Sequence, residues 1–193
     1  GYRWIKTMSE YGFGGILADD MGLGKTLQMI AALEDVQDKI SIVITPATLI
    51  LNWQDEINKF STDLKVTCIT GNLATRQKLI NEINKYNVVI TSYDYLRRDY
   101  QLYQDFNFEY VILDEAQYIK NQTTKNAKAV KEIKGIHHFA LTGTPIENSL
   151  AELWSIFDFL MPNYLYNYHY FKEQFERPII YQKDQEVQER LKK

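Results

Sequence analysis

The chain has 193 residues, 45% of them hydrophobic and 24% charged, with a net charge of −3 and one cysteine. That is enough apolar chain for one well-buried domain and short for two; it excludes an internal disulfide and a uniformly basic nucleic-acid binder, though not a local basic patch. No apolar run reaches the roughly 20 residues of a membrane span and no N-terminal signal pattern is present, so a soluble, intracellular chain without membrane association is expected.

Residues 1–13 read as a helix that opens the chain in mid-element, with Trp4, Ile5 and Met8 on one face. The next stretch, Gly14 to Thr26 (GGILADDMGLGKT), has the plan of a phosphate-binding loop. An apolar strand from Gly15 to Ala18 breaks at Asp19 and Asp20, turns through Met21, Gly22, Leu23 and Gly24, and enters a helix at Lys25. Glycines let backbone N–H groups converge on one point, and a helix N-terminus adds positive potential there. Lys25 can then neutralise terminal phosphates and the Thr26 hydroxyl can sit on Mg²⁺. The general pattern G-x-x-x-x-G-K-[ST] places its first glycine at position 19, where this chain has aspartate.

Leu27, Ile30, Ala31 and Leu33 continue that helix with one side buried. Ile40 to Thr45 is a continuous apolar run that stops at Pro46, as strands covered on both faces do. Thr48 to Phe60 has Ile50, Trp53, Ile57 and Phe60 at helical spacing. The strand Val66 to Thr70 follows, with Cys68 expected buried and reduced, then a turn at Gly71 and a helix carrying Leu79, Ile80 and Ile83. The strand Val88 to Thr91, a helical piece Tyr93 to Arg98, the strand Tyr110 to Leu113, a helix Thr124 to Ile133 and the strand Phe139 to Leu141 complete the series. This alternation predicts an α/β, doubly wound and mainly parallel sheet, with ligands at the carboxyl ends of its strands. Beyond Pro145, Ser149 and Glu152 form a capping box ahead of a stripe of Leu150, Leu153, Trp154, Phe157 and Leu160. Residues 161–193 read as a helical extension rich in tyrosine and charge.

Two strand ends carry the remaining chemistry. The strand Tyr110 to Leu113 delivers adjacent carboxylates, Asp114 and Glu115, to the edge where the phosphate loop opens. There Asp114 would hold the Mg²⁺ and Glu115 would orient and deprotonate the attacking water. The strand Phe139 to Leu141 ends in Thr142, Gly143 and Thr144, whose hydroxyls would face the same cleft and sense a γ-phosphate, or would serve only as a turn and cap. For nucleic acid, Tyr118 to Lys134 has five lysines against Glu132, although lysines on the solvent face of a helix are equally ordinary.

GGILADDMGLGKT, VITPATLILNW, ITSYDYL, LDEAQYIKN and LTGTPIEN, in this order, resemble the superfamily-two helicase-like ATPases, specifically the Swi/Snf-type DNA translocases, over nearly the whole chain. The resemblance implies a RecA-like first lobe over residues 1–160, using ATP and Mg²⁺. It accounts for Asp19 in the loop, and assigns nucleotide contacts to Met21, Gly22, Leu23, Gly24, Lys25, Thr26, Gln117, Thr142 and Thr144. Gln117 stands where many relatives have histidine. The resemblance also places double-stranded DNA against Thr45 and Pro46 and against Thr91, Ser92 and Tyr93, whose hydroxyls and backbone would position phosphates without reading bases. It further implies an adenine-reading glutamine upstream of Gly1, and a second lobe with arginine fingers after Lys193, toward which residues 161–193 would lead. A strand-separating helicase lobe and a non-catalytic nucleotide-dependent DNA-binding module are the alternatives.

Overall fold

The computed structural model describes residues 1–18, 24–143 and 149–192. Its centre is a six-stranded, all-parallel sheet of β1 (Gly15–Leu17), β2 (Ser41–Thr45), β3 (Val66–Cys68), β4 (Val88–Ser92), β5 (Phe108–Leu113) and β6 (Gly135–Leu141), in the order β1-β6-β5-β2-β4-β3. The central strands β2 and β4 are buried at every position, as their uninterrupted apolar runs require.

Side chains alternate between two cores because the strand period is two. Val43, Val88, Ile90, Ile112 and Phe139 pack beneath α1 (Tyr2–Glu10), α2 (Lys25–Glu34) and α3 (Ile50–Phe60). Ile42, Ile44, Val89, Val111 and Leu113 pack on the opposite face. That face is covered by α4 (Leu73–Asn81), α5 (Tyr93–Asp99), α6 (Lys125–Lys131) and α7 (Leu150–Leu160). Gly14 allows the close approach of β1, β6 and α7: a Cβ there would lie 2.5 Å from the His138 carbonyl oxygen and 2.7 Å from that of Leu160.

Polar caps start the helices on the second face. Asn72, Ser92, Thr124 and Ser149 accept from the backbone N–H three residues on, each contact typically stabilising by about 1 kcal/mol. After α7 come α8 (Tyr168–Phe171), a π-helical turn at Lys172–Glu176, α9 (Arg177–Tyr181) and α10 (Gln185–Lys192). This extension is anchored by Trp154, whose Nε1–H donates to the Tyr166 carbonyl at 3.1 Å and whose ring lies 5.2 Å from that of Tyr168.

Three expectations about burial need correction. Leu27 is exposed, because α2 buries Met29, Ile30, Ala32 and Leu33, a stripe on the other side of the helix. On α7 the buried set is Trp154, Ser155, Ile156, Phe159 and Leu160, while Leu150, Leu153 and Phe157 are half-buried. The helix is rotated because Ser155 donates to the Ile119 carbonyl at 2.6 Å on one side and Phe157 packs toward Tyr164 on the other. Cys68 is half-exposed at the end of β3, an edge strand of the sheet, where burial still pushes its thiol up to about 11. No described helix is long and apolar enough to cross a membrane.

Candidate nucleotide-binding site

Parallel strands end together, so Leu17, Thr45, Ser92, Leu113 and Leu141 deliver their following residues to one edge of the sheet. At that edge lies a cleft of about 320 Å³. One wall is Gly24, Lys25 and Thr26 at the start of α2; the others are Asp114 and Glu115 after β5, and Asn52, Trp53 and Glu56 on α3. Gly24 adopts a left-handed conformation with φ 72°, which admits the sharp entry into α2, and its carbonyl accepts from the Gln28 N–H at 3.0 Å. The positive N-terminal end of α2 thus opens on the cleft beside a lysine and a hydroxyl.

Asp114 is held on several sides. Its Oδ2 accepts from Trp53 Nε1 at 2.8 Å and from Thr45 Oγ1 at 3.0 Å, and its Oδ1 accepts from the Glu115 N–H at 3.0 Å. Its backbone carbonyl accepts from the Tyr93 hydroxyl at 2.8 Å. Burial pushes the Asp114 carboxyl above the ordinary aspartate range, the Trp53 and Thr45 hydrogen bonds pull it back, and the neighbouring Glu115 adds to the rise. Oδ1, with one donor among the described residues, keeps acceptor capacity for a further partner.

Glu115 has φ 53° and ψ 55°, a left-handed conformation that costs a non-glycine residue about 1–2 kcal/mol. The turn redirects its carboxylate away from Asp114 toward Gln117, whose Nε2 donates to Glu115 Oε2 at 2.6 Å. Gln117 Oε1 in turn accepts from the Thr142 hydroxyl at 3.2 Å. The structure therefore brings Gly24, Lys25, Thr26, Asp114 and Glu115 together on the cleft, and sets Gln117 and Thr142 behind Glu115 as its support. Met21, Gly22, Leu23 and Thr144 lie outside the described residues. A lysine and a hydroxyl at a helix N-terminus, facing a carboxylate with acceptor capacity, fit a phosphate group accompanied by a hard divalent cation.

The residues assigned to DNA are placed differently from expectation. Thr45, Thr91, Ser92 and Tyr93 are buried, and Pro46 is half-buried. Thr45 and Tyr93 bind Asp114, and the Ser92 hydroxyl caps α5. Thr45 and Ser92 end buried strands, Thr91 lies inside β4 and Tyr93 opens α5, so these four side chains are buried rather than presented to solvent.

The lysine-rich stretch does not form one basic face either. Lys131 pairs with Asp158 at 2.7 Å, Lys134 donates to the Gln104 carbonyl at 2.7 Å and Lys120 lies 3.9 Å from Glu152. Lys125 and Lys128 instead share a groove with Arg97 and Tyr100. The sequence reading did not place Trp53, Asn52 and Glu56 on the cleft. Trp53 carried a usable signal, since an indole buried in a helical stripe must find a partner for its N–H.

A family model described as the SNF2-related domain matches residues 1–193. An ATP-dependent helicase of Mycoplasma genitalium, itself uncharacterised, is 42% identical, the match covering 100% of this chain and 19% of that protein. The TATA-binding protein-associated factor mot1 of Schizosaccharomyces pombe is 40% identical over 95% of this chain and 10% of its own length. Among solved structures, the Sulfolobus solfataricus SWI2/SNF2 ATPase core in complex with dsDNA superposes with a TM-score of 0.90 at 42% identity. That match covers 100% of this chain and 40% of the solved one. The sheet and its helices are thus those of that ATPase core, and the chain spans a minor part of each relative.

Proposed function

The chain belongs to the SNF2-related domain family, and from that membership we propose that it is the nucleotide-binding lobe of an ATP-dependent double-stranded DNA translocase of the Swi/Snf type. The observation that carries the proposal is the cleft itself, in which Lys25 and Thr26 at the start of α2 meet Asp114 and Glu115 at the end of β5. In this reading residues 1–160 are a RecA-like lobe, and residues 161–193 lead toward a second lobe of the same protein. The match to 40% of the solved core is consistent with such a second lobe.

Lys25 would place its ammonium against the terminal phosphates, with Gly24 and the loop residues Met21, Gly22 and Leu23 supplying backbone contacts. Thr26 and Asp114 would hold Mg²⁺, which when bound supplies positive charge against the phosphoryl oxygens. Glu115 would take the proton of the attacking water, and the Gln117 amide, braced by Thr142, keeps its carboxylate fixed for that step. Thr144 would complete the contacts to the γ-phosphate. Double-stranded DNA would run over the segment after β2 and the junction of β4 with α5, held by main chain and by Pro46 rather than by the buried hydroxyls. The solved DNA complex of a relative supports that partner.

Equilibrium binding of a fluorescent ATP analogue tests the proposal. Lys25→Ala removes the side chain that neutralises the terminal phosphates and is expected to abolish binding. Glu115→Gln, placed in a two-lobed protein, is expected to keep binding and lose hydrolysis, because it preserves shape and deletes the base. Binding by Lys25→Ala equal to that of the unmodified chain would overturn the nucleotide assignment.

A further inference from the structure

Trp53 combines two properties that a purely structural tryptophan does not need. Its ring is 2% exposed among the residues beneath α2 and α3, and its N–H is spent on Asp114, a carboxylate on the cleft. Packing alone would not call for an N–H aimed at a carboxylate. The second donor to the same oxygen, the Thr45 hydroxyl, comes from the strand directly beside β5. Together they fill Oδ2, while Oδ1 keeps the capacity to take another partner.

A carboxylate on a short side chain has two soft torsions, and two donors on one oxygen fix both. We propose that Trp53 is a positioning residue for the cation-holding carboxylate: with Thr45 it anchors Asp114 Oδ2 so that Oδ1 is presented to the metal of a bound nucleotide. The inference rests on the nucleotide reading above and adds a residue to it. Asp114 is also tied through its carbonyl to Tyr93 at the start of α5. The side chain is therefore anchored to α3 and the main chain to α5, on opposite faces of the sheet.

The test measures Mn²⁺ binding to the chain in the presence of ADP, by electron paramagnetic resonance, with folding followed by circular dichroism. Trp53→Phe and Thr45→Val each remove one donor, the first with a smaller ring in the core and the second with shape retained. Each is expected to weaken Mn²⁺ binding by about 10- to 100-fold, the usual effect of losing a partner that orients a metal ligand. Thr45→Ser restores the hydroxyl and is expected to restore affinity. A tryptophan that only packs the core would lower the melting temperature on substitution and leave Mn²⁺ affinity where it was; that result from a folded Trp53→Phe chain overturns the inference and leaves the nucleotide reading intact. If Trp53→Phe does not fold, the Thr45 pair decides: equal Mn²⁺ affinity in the Val and Ser variants overturns it as well. An unmodified chain that binds neither ADP nor Mn²⁺ overturns the nucleotide reading and this inference together.

Discussion

The buried ion pair between Arg76 on α4 and Asp99 at the end of α5 makes the fold sensitive to a single substitution at either residue. Arg76 Nε meets Asp99 Oδ2 at 2.5 Å and Nη2 meets Oδ1 at 3.0 Å, a two-point grip with side-chain exposures of 6% and 1%. Nη1 also donates to the Gly71 carbonyl at 2.6 Å, and the guanidinium lies over the Tyr95 ring at 4.8 Å. Asp99→Ala would leave a guanidinium buried beside an aromatic face without its counter-charge, at a cost of about 3–5 kcal/mol. For a domain of this size each kcal/mol moves the melting temperature by about 2–4 °C, so a fall of roughly 6–20 °C is expected. Arg76→Leu with Asp99→Leu removes both desolvation penalties and is expected to recover most of the loss, a strongly non-additive result. Urea denaturation of Arg76→Leu, Asp99→Leu and the double variant supplies the cycle. Single substitutions costing under about 1 kcal/mol, or a double variant that equals their sum, would refute the reasoning that uncompensated charge, rather than lost contact, sets the cost.

DNA affinity, if phosphates lie on the segment after β2 and the junction of β4 with α5, is expected to be weak, indifferent to sequence and steeply reduced by salt; two unrelated duplexes titrated at two salt concentrations check this, and a clear base preference would contradict it. Burial lifts the Cys68 thiol from 9.0 to about 11, so at pH 8 its thiolate fraction falls by about 100-fold, and a thiol reagent should react slowly until the chain is unfolded. Burial pushes His138 below its ordinary value of 6.5 against a smaller upward pull from the Ile133 carbonyl. The unfolded chain therefore binds the proton first on acidification, and stability should begin to fall as pH drops through about 6.5 and keep falling down to the depressed folded value. Denaturation midpoints across that window, with His138→Gln expected to flatten the slope, provide the measurement.

The strands of this chain were legible because each central one is a continuous apolar run, and in a parallel sheet such runs have only one place to go. Their order in the sheet was not legible, since pairing is set by packing between strands distant in sequence. The sequence showed β6 as Phe139 to Leu141 only, because Gly135, His137 and His138 do not read as apolar, yet the strand pairs along β5 from Gly135 onward. The pairing supplies backbone partners, and His137 and His138 pack their rings on Tyr110 and Phe159. At the site, Gly24, Lys25, Thr26, Asp114 and Glu115 were legible because residue type, strand end and helix start coincide. The inward hydrogen bonds of Thr45, Ser92 and Tyr93 were not legible, because a hydroxyl at a strand end or helix start is equally suited to a ligand outside or a partner within. Sequence gives no direction to choose by; only the register of β2 beside β5 brings Thr45 to Asp114.

Adjacent residues Asp114 and Glu115 raise a sharper physical question, since two carboxylates one peptide apart at a strand end should repel and compete for the same cation. The backbone separates them. Asp114 continues the extended direction of β5, its N–H still paired to the Ile44 carbonyl at 2.9 Å, and its side chain is drawn toward α3 by Trp53. Glu115 then turns into the left-handed region, and the Gln117 amide draws its carboxylate the other way. The strain of about 1–2 kcal/mol is offset by the 2.6 Å hydrogen bond to that amide and by burial of Ala116 and Ile119 in the turn that follows. An unstrained extended conformation at position 115 would send its side chain to the opposite face of the sheet from that of Asp114. The left-handed turn keeps both groups on one cleft while giving each its own donors, the condition under which one can hold a cation and its neighbour can accept a proton.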